Sequence, residues 1–249
     1  MDVRIKETYD EISDEAAQIV LRQIQAKPDS VLGLTAGSSP LGLYERMQQA
    51  YRDGLADFSR VRIFTLSEYI GLDENDERSF TYYTRKNFCD GLNLSEENIR
   101  MPDGMADDIA SECARYGEAI EAAGGIDMMI LGIGPNAHIG FNEPGPVFVP
   151  ETHVVELSEA TRAANARFFD NPADVPYWAV SMGMRDIMFA RHILLLASGP
   201  GKTEALFLAL GDDITPKAPA SVLQLHRGAV VIADETAARR LPKELLGRR

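Results

Sequence analysis

Residues 126–133 read IDMMILGI, an apolar run of strand length that ends beside glycine. Its apolar residues are nearly continuous, whereas a strand with one solvent-facing side alternates apolar and polar residues. The run therefore predicts a strand that is buried on both faces. Such strands are typical of parallel sheets that carry helices on both sides.

The same pattern recurs along the chain. Further strands are predicted by apolar runs at residues 31–35 (VLGLT), 61–66 (VRIFTL), 192–197 (HILLLA) and 230–233 (VVIA). Helices are predicted at residues 40–49 and 109–123, and other helical segments flank the later strands. This alternation predicts an α/β fold with a single doubly wound, mostly parallel sheet and helices on both faces. Because no repeat, low-complexity segment or linker interrupts the pattern, residues 1–249 are expected to form a single domain.

The composition excludes several classes of protein. A hydrophobic fraction of 45% and a charged fraction of 25% indicate a globular chain rather than a disordered one. No apolar run reaches the roughly 18 residues of a membrane span, and the polar start MDVRIKETYDEISDEAA is unlike a signal peptide. Cys89 and Cys113 are too few for a disulfide framework and lack metal-ligand spacing. We therefore expect a cytoplasmic protein with no membrane partner and no metal.

The net charge of −13 argues against a nucleic-acid partner, because a phosphate backbone needs a basic surface. A small anionic substrate is still compatible with this charge. Local positive groups would then have to hold it against the overall field.

In doubly wound sheets, ligands bind beyond the carboxyl ends of the strands. The first such loop is residues 35–40, TAGSSP, which opens a predicted helix. Gly37 allows a ligand to approach the backbone closely, while Ser38 and Ser39 offer hydroxyl and N–H groups at the N-terminus of that helix. A plain helix cap explains the same residues equally well.

Ser67 and Glu68 follow the second predicted strand. A carboxylate at this position is a candidate general base, although a single such residue is more often a surface or capping group.

The loop at residues 132–144, GIGPNAHIGFNEP, is the most informative. Asn136, His138, Asn142 and Glu143 fall within eight residues of one another. So many polar side chains are costly to bury for packing alone, because each needs a hydrogen-bond partner. His138 can move protons near neutral pH, and Glu143 can orient its ring and stabilise the charged form. A purely structural histidine is the alternative.

Three cations come later in the chain: Arg162, Arg167 and Lys202. Lys202 stands at a predicted helix start after the turn SGPG, where a cation opposes the helix dipole. An anion held between them would relieve this conflict. Each cation alone would ordinarily be a solvated surface residue.

These motifs together resemble the glucosamine-6-phosphate deaminase (isomerase) family over nearly the whole chain. The resemblance is carried, in order, by LTAGSSPLGLY, FTLSEYIGLDENDERSFTYYTRKNF, GGIDMMILGIGPNAHIGFNEPG, TRAANARFFD, SGPGKTEAL and ASVLQLHRGAVVIAD. The related 6-phosphogluconolactonases share the fold, but HIGFNEPG is similar to the deaminase branch.

The resemblance implies a reversible conversion of glucosamine 6-phosphate to fructose 6-phosphate and ammonia, without a cofactor. His138 would help to open the sugar ring, supported by Glu143. The substrate phosphate would be bound by Gly37, Ser38, Ser39, Arg167 and Lys202.

The chain departs from the family pattern at two positions. Many members have an aspartate, the base that moves a proton between C2 and C1, where this chain has Ser67. A serine hydroxyl is a poor base unless it is activated. Glu68 is adjacent but is expected to point elsewhere. Asn136 replaces an aspartate that only some members have, so this second departure is mild.

Two alternatives remain open at this point. The serine can mark another phosphosugar isomerisation or a lactone hydrolysis, and the chain can also be a catalytically silent phosphosugar-binding protein. The sequence is compatible with a homo-oligomer as well as a monomer, since both occur among proteins of this type.

Overall fold

Parallel strands form the central sheet of the computed structural model, which describes residues 1–211 and 213–246. Within these residues the strands are β1 (Asp2–Lys6), β2 (Val31–Leu34), β3 (Arg62–Thr65), β4 (Ser67–Tyr69), β5 (Ile99–Arg100), β6 (Met128–Leu131), β7 (His153–Glu156), β8 (Trp178–Ser181), β9 (His192–Ala197) and β10 (Ala229–Asp234). Seven of them pair in the order β1-β10-β9-β6-β2-β3-β5, and every neighbouring pair is parallel. The predicted α/β fold with a mostly parallel sheet is confirmed.

Helices cover both faces of this sheet. Over the described residues they are α1 (Tyr9–Ala26), α2 (Leu41–Arg52), α3 (Phe80–Asn87), α4 (Ile109–Ala122), α5 (Glu159–Asn165), α6 (Met184–Met188), α7 (Thr203–Leu210), α8 (Glu235–Ala238) and α9 (Lys243–Leu246). None of them combines the length and apolar character that a membrane crossing requires.

Alternate residues of each central strand enter two separate hydrophobic cores. In β6, Met128 and Ile130 pack with side chains of α1 and α2, whereas Met129 and Leu131 pack with side chains of α4 and α7. Because successive side chains of a strand point to opposite faces, this alternation places helices on both sides of the sheet. It also explains why the run IDMMILGI is apolar at nearly every position.

A second, three-stranded antiparallel sheet, in the order β4-β8-β7, corrects the expectation of one sheet only. β4 begins at Ser67, one residue after β3, where the sequence predicts a loop. The burial of β7 alternates between half-buried and exposed, so it lacks the apolar run that identified the central strands. β1 and β5 were missed as well, because β1 carries mixed polar residues and β5 has only two residues.

The chain reverses its direction across the sheet between β2 and β6. From β2 it proceeds outward through β3 and β5, and then β6 lies on the opposite side of β2. The loops that leave β2 and β6 therefore diverge, which opens a crevice at the carboxyl ends of these two strands.

Candidate active site

The loops that follow β2, β6 and β9 meet around one cavity of about 310 Å³. The start of β4, the helix α5 and the short 3₁₀ turn Ala166–Phe168 complete its walls. This volume lies within the roughly 300–1,000 Å³ range of small-molecule sites. Its position is the crevice at the point where the strand order reverses.

His138 lines this cavity, and its Nδ1 atom lies in a polar network with Thr161 and Glu143. Nδ1 lies 3.3 Å from Thr161 Oγ1 and 3.7 Å from Glu143 Oε1. The side chains of His138 and Glu143 are only 12% and 9% exposed. The backbone N–H of His138 donates to Asn136 Oδ1 at 3.3 Å, which fixes the loop beneath the ring.

Glu143 is held in its ionised form. Burial alone would raise its pKa, but the adjacent His138 ring, Thr161 and Asn136 outweigh burial and lower the pKa to about 2. Asn136 Nδ2 donates to Glu143 Oε2 at 2.7 Å, while the buried Oε1 atom accepts no hydrogen bond. That free oxygen is the one nearest to His138 Nδ1.

An ionised carboxylate beside Nδ1 favours the imidazole tautomer that carries its proton there. The second ring nitrogen, Nε2, is then a hydrogen-bond acceptor. The same carboxylate stabilises the imidazolium that forms when Nε2 takes up a proton. The pair is therefore arranged to act as a general base and then as a general acid.

Gly134 packs so tightly against the His138 ring that a side chain has no room. A Cβ atom at this position would lie 2.1 Å from His138 Nε2. A backbone hydrogen bond closes this part of the loop: the Gly134 N–H donates to the His138 carbonyl at 2.9 Å. Ala137, the residue before the histidine, has a positive φ of 63° and is fully buried.

Gly134→Ala is expected to lower kcat/KM on the substrate of this site about a hundredfold, because the added methyl displaces the reacting nitrogen. Steady-state kinetics on the folded variant measure the effect. Gly117→Ala is the matched control: Gly117 lies within α4, and its added Cβ meets no atom within 4 Å. We expect that control to keep full activity and to raise the free energy of unfolding by about 0.5–1 kcal/mol. Wild-type kinetics in Gly134→Ala would contradict this interpretation of the loop.

The first loop presents backbone N–H groups to the cavity. Gly37, Ser38 and Ser39 all line it, at the N-terminus of α2. Among the described residues, no protein acceptor takes the N–H groups of Ser38 and Ser39. Gly37 has a φ of +98°, a conformation that a residue with a side chain rarely adopts. Free N–H groups at a helix N-terminus suit an anion.

Two cations face the same end of the cavity. Lys202 Nζ donates to the Ile133 carbonyl at 2.6 Å, and Arg167 packs over the Phe168 ring at 4.7 Å. Burial, with the charge of Arg167 in addition, lowers the pKa of Lys202. In the described part of the chain neither cation has a carboxylate within 4.0 Å. An anion bound between the two cations would offset the cost of burying the Lys202 charge and the repulsion between the two positive charges.

The side chains of Ser67 and Glu68 line different cavities. Ser67 lines the cavity, but the Glu68 carboxylate accepts the N–H groups of Tyr69, Phe80 and Thr81 at 2.7–3.0 Å and lies beside a different cavity. Glu68 thus caps the N-terminus of α3 and is not placed to replace the missing aspartate. Burial raises its pKa, against the effect of these hydrogen bonds.

The cavity contains no carboxylate: among the residues that the structure describes, no Asp or Glu side chain lines it. The described residues likewise form no group of three or more His, Cys, Asp or Glu side chains that could hold a metal ion. Among the described residues, the ionisable side chains that line the cavity are His138, Arg167 and Lys202, and Glu143 lies behind His138.

Arg162 lies away from the cavity: it donates to the Val175 carbonyl and stacks over the Tyr177 ring at 3.6 Å.

Thr161 and Asp234 were not predicted from the sequence. Asp234 ends β10 and accepts from Ser198 Oγ and Gly199 N–H, so it holds the turn that precedes Lys202. Both positions lie within segments that carry the resemblance, but neither has a chemical signal of its own.

Comparisons with known proteins find relatives that match nearly the whole chain. The chain is 49% identical over 245 residues to a glucosamine-6-phosphate deaminase of Clostridioides difficile (strain 630), covering 98% of each protein. It is 47% identical over 244 residues to one of Thermoanaerobacter sp. (strain X514), covering 98% of this chain and 96% of that protein.

Solved structures show the same fold. A monomeric glucosamine-6-phosphate deaminase superposes with a TM-score of 0.94 at 40% identity, covering 96% of this chain and 99% of the other. A 6-phosphogluconolactonase from Trypanosoma cruzi superposes with a TM-score of 0.74 at 21% identity, with 96% of each chain covered, and shares the fold. Residues 5–232 match the family described as glucosamine-6-phosphate isomerases/6-phosphogluconolactonase. The chain belongs to this family.

Proposed function

We propose that the protein is a deaminase and isomerase of amino-sugar phosphates, which converts glucosamine 6-phosphate and water to fructose 6-phosphate and ammonia. One observation supports the proposal: a single cavity brings together the free N–H groups of Ser38 and Ser39, two cations, and a histidine beside an ionised carboxylate. We call the part lined by Ser38, Ser39, Arg167 and Lys202 the anion-binding end. The proposed reaction consists of proton transfers and a hydrolysis, so it requires no cofactor.

The substrate phosphate would bind at the anion-binding end. Ser38 and Ser39 would donate their free N–H groups, and Arg167 and Lys202 would supply the positive charge. These local groups offset the field of a chain whose net charge is −13. The sugar would then extend toward His138, which lines the same cavity.

His138 would open the sugar ring. Its Nε2 atom takes the proton of the C1 hydroxyl, the bond between C1 and the ring oxygen breaks, and the imidazolium returns the proton to that oxygen. Glu143 stabilises the imidazolium through this exchange and remains ionised. Asn136 and Thr161 would act as positioning residues, because they bond the pair and do not touch the substrate.

Deamination then moves one proton from C2 to C1 and a second from the amine nitrogen to the C1 oxygen, which gives an imine at C2. Water adds to that carbon, and the nitrogen leaves as ammonia while C2 becomes the ketone. With Ser67 in place of a carboxylate, His138 would serve as the base for this step as well. Because His138 would then serve both ring opening and the proton transfer from C2, we expect slow turnover. Ser67 itself would contact the substrate without accepting the proton.

Hydrolysis of a phosphosugar lactone is the second candidate function. The absence of a carboxylate from the cavity, among the described residues, favours it. One general base that activates water is sufficient for that reaction.

A substrate panel separates the two functions. Glucosamine 6-phosphate, unphosphorylated glucosamine and a 6-phosphogluconolactone are assayed side by side for ammonia and for acid release. A deaminase releases ammonia from the first compound only, whereas a lactonase acidifies the third without ammonia. No turnover of any compound, together with measurable binding, would favour a silent binding protein instead.

A further inference from the structure

Three tyrosine hydroxyls that do not line the cavity bond the backbone carbonyls of the loop that follows β2. Tyr44 Oη donates to the Thr35 carbonyl at 2.7 Å, and Tyr83 Oη donates to the Gly37 carbonyl at 2.6 Å. Tyr9 Oη lies 2.9 Å from the Ser38 carbonyl oxygen and 3.2 Å from that of Ser39. The three rings come from different helices: α1, α2 and α3.

These bonds determine where the loop's N–H groups point. In a trans peptide the C=O and N–H groups point in opposite directions. The Gly37 carbonyl, bonded to Tyr83, shares its peptide with the N–H of Ser38. The Ser38 carbonyl, bonded to Tyr9, shares its peptide with the N–H of Ser39. Both N–H groups are therefore directed away from the tyrosines, and Ser38 and Ser39 line the cavity.

Tyr9 also supplies an N-terminal cap for α2, whose own N-cap residue provides none. Pro40 stands at the N-cap position and makes no side-chain hydrogen bond there. Instead, Tyr9 Oη accepts the N–H of Gly42 at 2.8 Å. Gly42 permits this approach, since a Cβ atom on it would lie within 3.1 Å of the Tyr9 ring and closer still to Ser13. One hydroxyl thus caps the helix and orients the loop.

We propose that Tyr9 and Tyr83 are positioning residues for the substrate phosphate. Neither side chain lines the cavity, so each acts through the backbone of the loop. The role rests on the proposed function, which places a phosphate on the N–H groups of Ser38 and Ser39. Tyr44 is fully buried within the hydrophobic core, and its replacement would not separate positioning from stability.

The test is calorimetric titration of inorganic phosphate into the wild type, Tyr9→Phe, Tyr83→Phe and the double variant. Each single loss of a hydroxyl is expected to weaken phosphate binding roughly threefold to tenfold, because a preorganised hydrogen bond is lost. The double variant should lose roughly tenfold or more. KM for glucosamine 6-phosphate should rise in parallel, with kcat changed less than about twofold.

Tyr82→Phe is the matched control. Tyr82 neighbours Tyr83 on α3, and among the described residues its hydroxyl makes a single long contact, at 3.5 Å, with Glu77. We expect wild-type phosphate affinity and KM in this variant, and thermal unfolding verifies that every variant is folded.

Unchanged phosphate affinity in the folded double variant would overturn the inference, even if its melting temperature fell. A fall in kcat at constant KM would also contradict it. Wild-type protein that binds no phosphate would reject the anion site of the proposed function itself. Because phosphate binding needs no turnover, the two failures are distinguishable.

Discussion

Glu143→Gln is expected to lower kcat/KM at neutral pH by roughly 10²–10⁴-fold, a loss of the size found when a catalytic histidine loses its carboxylate partner. The substitution keeps the shape of the side chain and leaves an oxygen for Asn136 Nδ2, so the loop should persist. What disappears is the charge that keeps the His138 proton on Nδ1 and stabilises the imidazolium. Steady-state kinetics on an amino-sugar phosphate measure the loss.

Glu156→Gln is the control, because Glu156 is an exposed carboxylate on β7 outside the cavity. Phosphate affinity should be unchanged in both variants, since Glu143 does not face the anion-binding end. Wild-type kcat/KM in Glu143→Gln would contradict the assigned role of the carboxylate.

The lowered pKa of Glu143 also affects stability. Its value in the folded state, about 2, lies below the ordinary 4.5, so the ionised carboxylate stabilises the folded protein above about pH 4.5. This contribution is lost as the pH falls from about 4.5 toward 2. The difference in unfolding free energy between the wild type and Glu143→Gln should decrease over the same interval.

Ser67→Asp is expected to raise kcat on glucosamine 6-phosphate by roughly 10²-fold, the lower end of the range for an added general base. Ser67 lines the cavity, and among the described residues no Asp or Glu side chain lines it. An aspartate there would take the proton of C2 and leave His138 with the ring opening alone. Stopped or coupled assays of fructose 6-phosphate formation measure kcat for both proteins.

Ser67→Asn provides the matched control for Ser67→Asp, because it has nearly the same size without the charge. It should not exceed the wild-type rate. Equal and high rates in the wild type and Ser67→Asp would show that another group already supplies the base. A rise in both variants would attribute the effect to shape rather than to the carboxylate.

The central strands were predictable because both of their faces are buried. Residues 31–35, 61–66, 126–133, 192–197 and 230–233 contain β2, β3, β6, β9 and most of β10. The strands of the smaller sheet lack this signal, because β7 is partly exposed and β4 follows β3 after one residue. The start of α1 carries a local signal of its own, because Thr8 and Glu11 form a capping box.

The candidate site was predictable where its residues share one loop. Asn136, His138 and Glu143 are close in sequence, and the structure joins them in one network. Contacts between distant segments were not predictable. The Glu68 carboxylate is oriented by the N–H groups at the N-terminus of α3, which begins twelve residues later. Tyr9, on α1, contacts the loop that follows β2 and the first turn of α2. These contacts depend on helix packing, which no local pattern specifies.

The most direct test of the account measures ammonia and fructose 6-phosphate together, with glucosamine 6-phosphate as substrate and the wild-type protein as catalyst. We expect the two products in equal amounts, at a low rate, with none formed by His138→Gln. Absence of both products from the wild type, or equal product release by His138→Gln, would contradict the proposed deaminase.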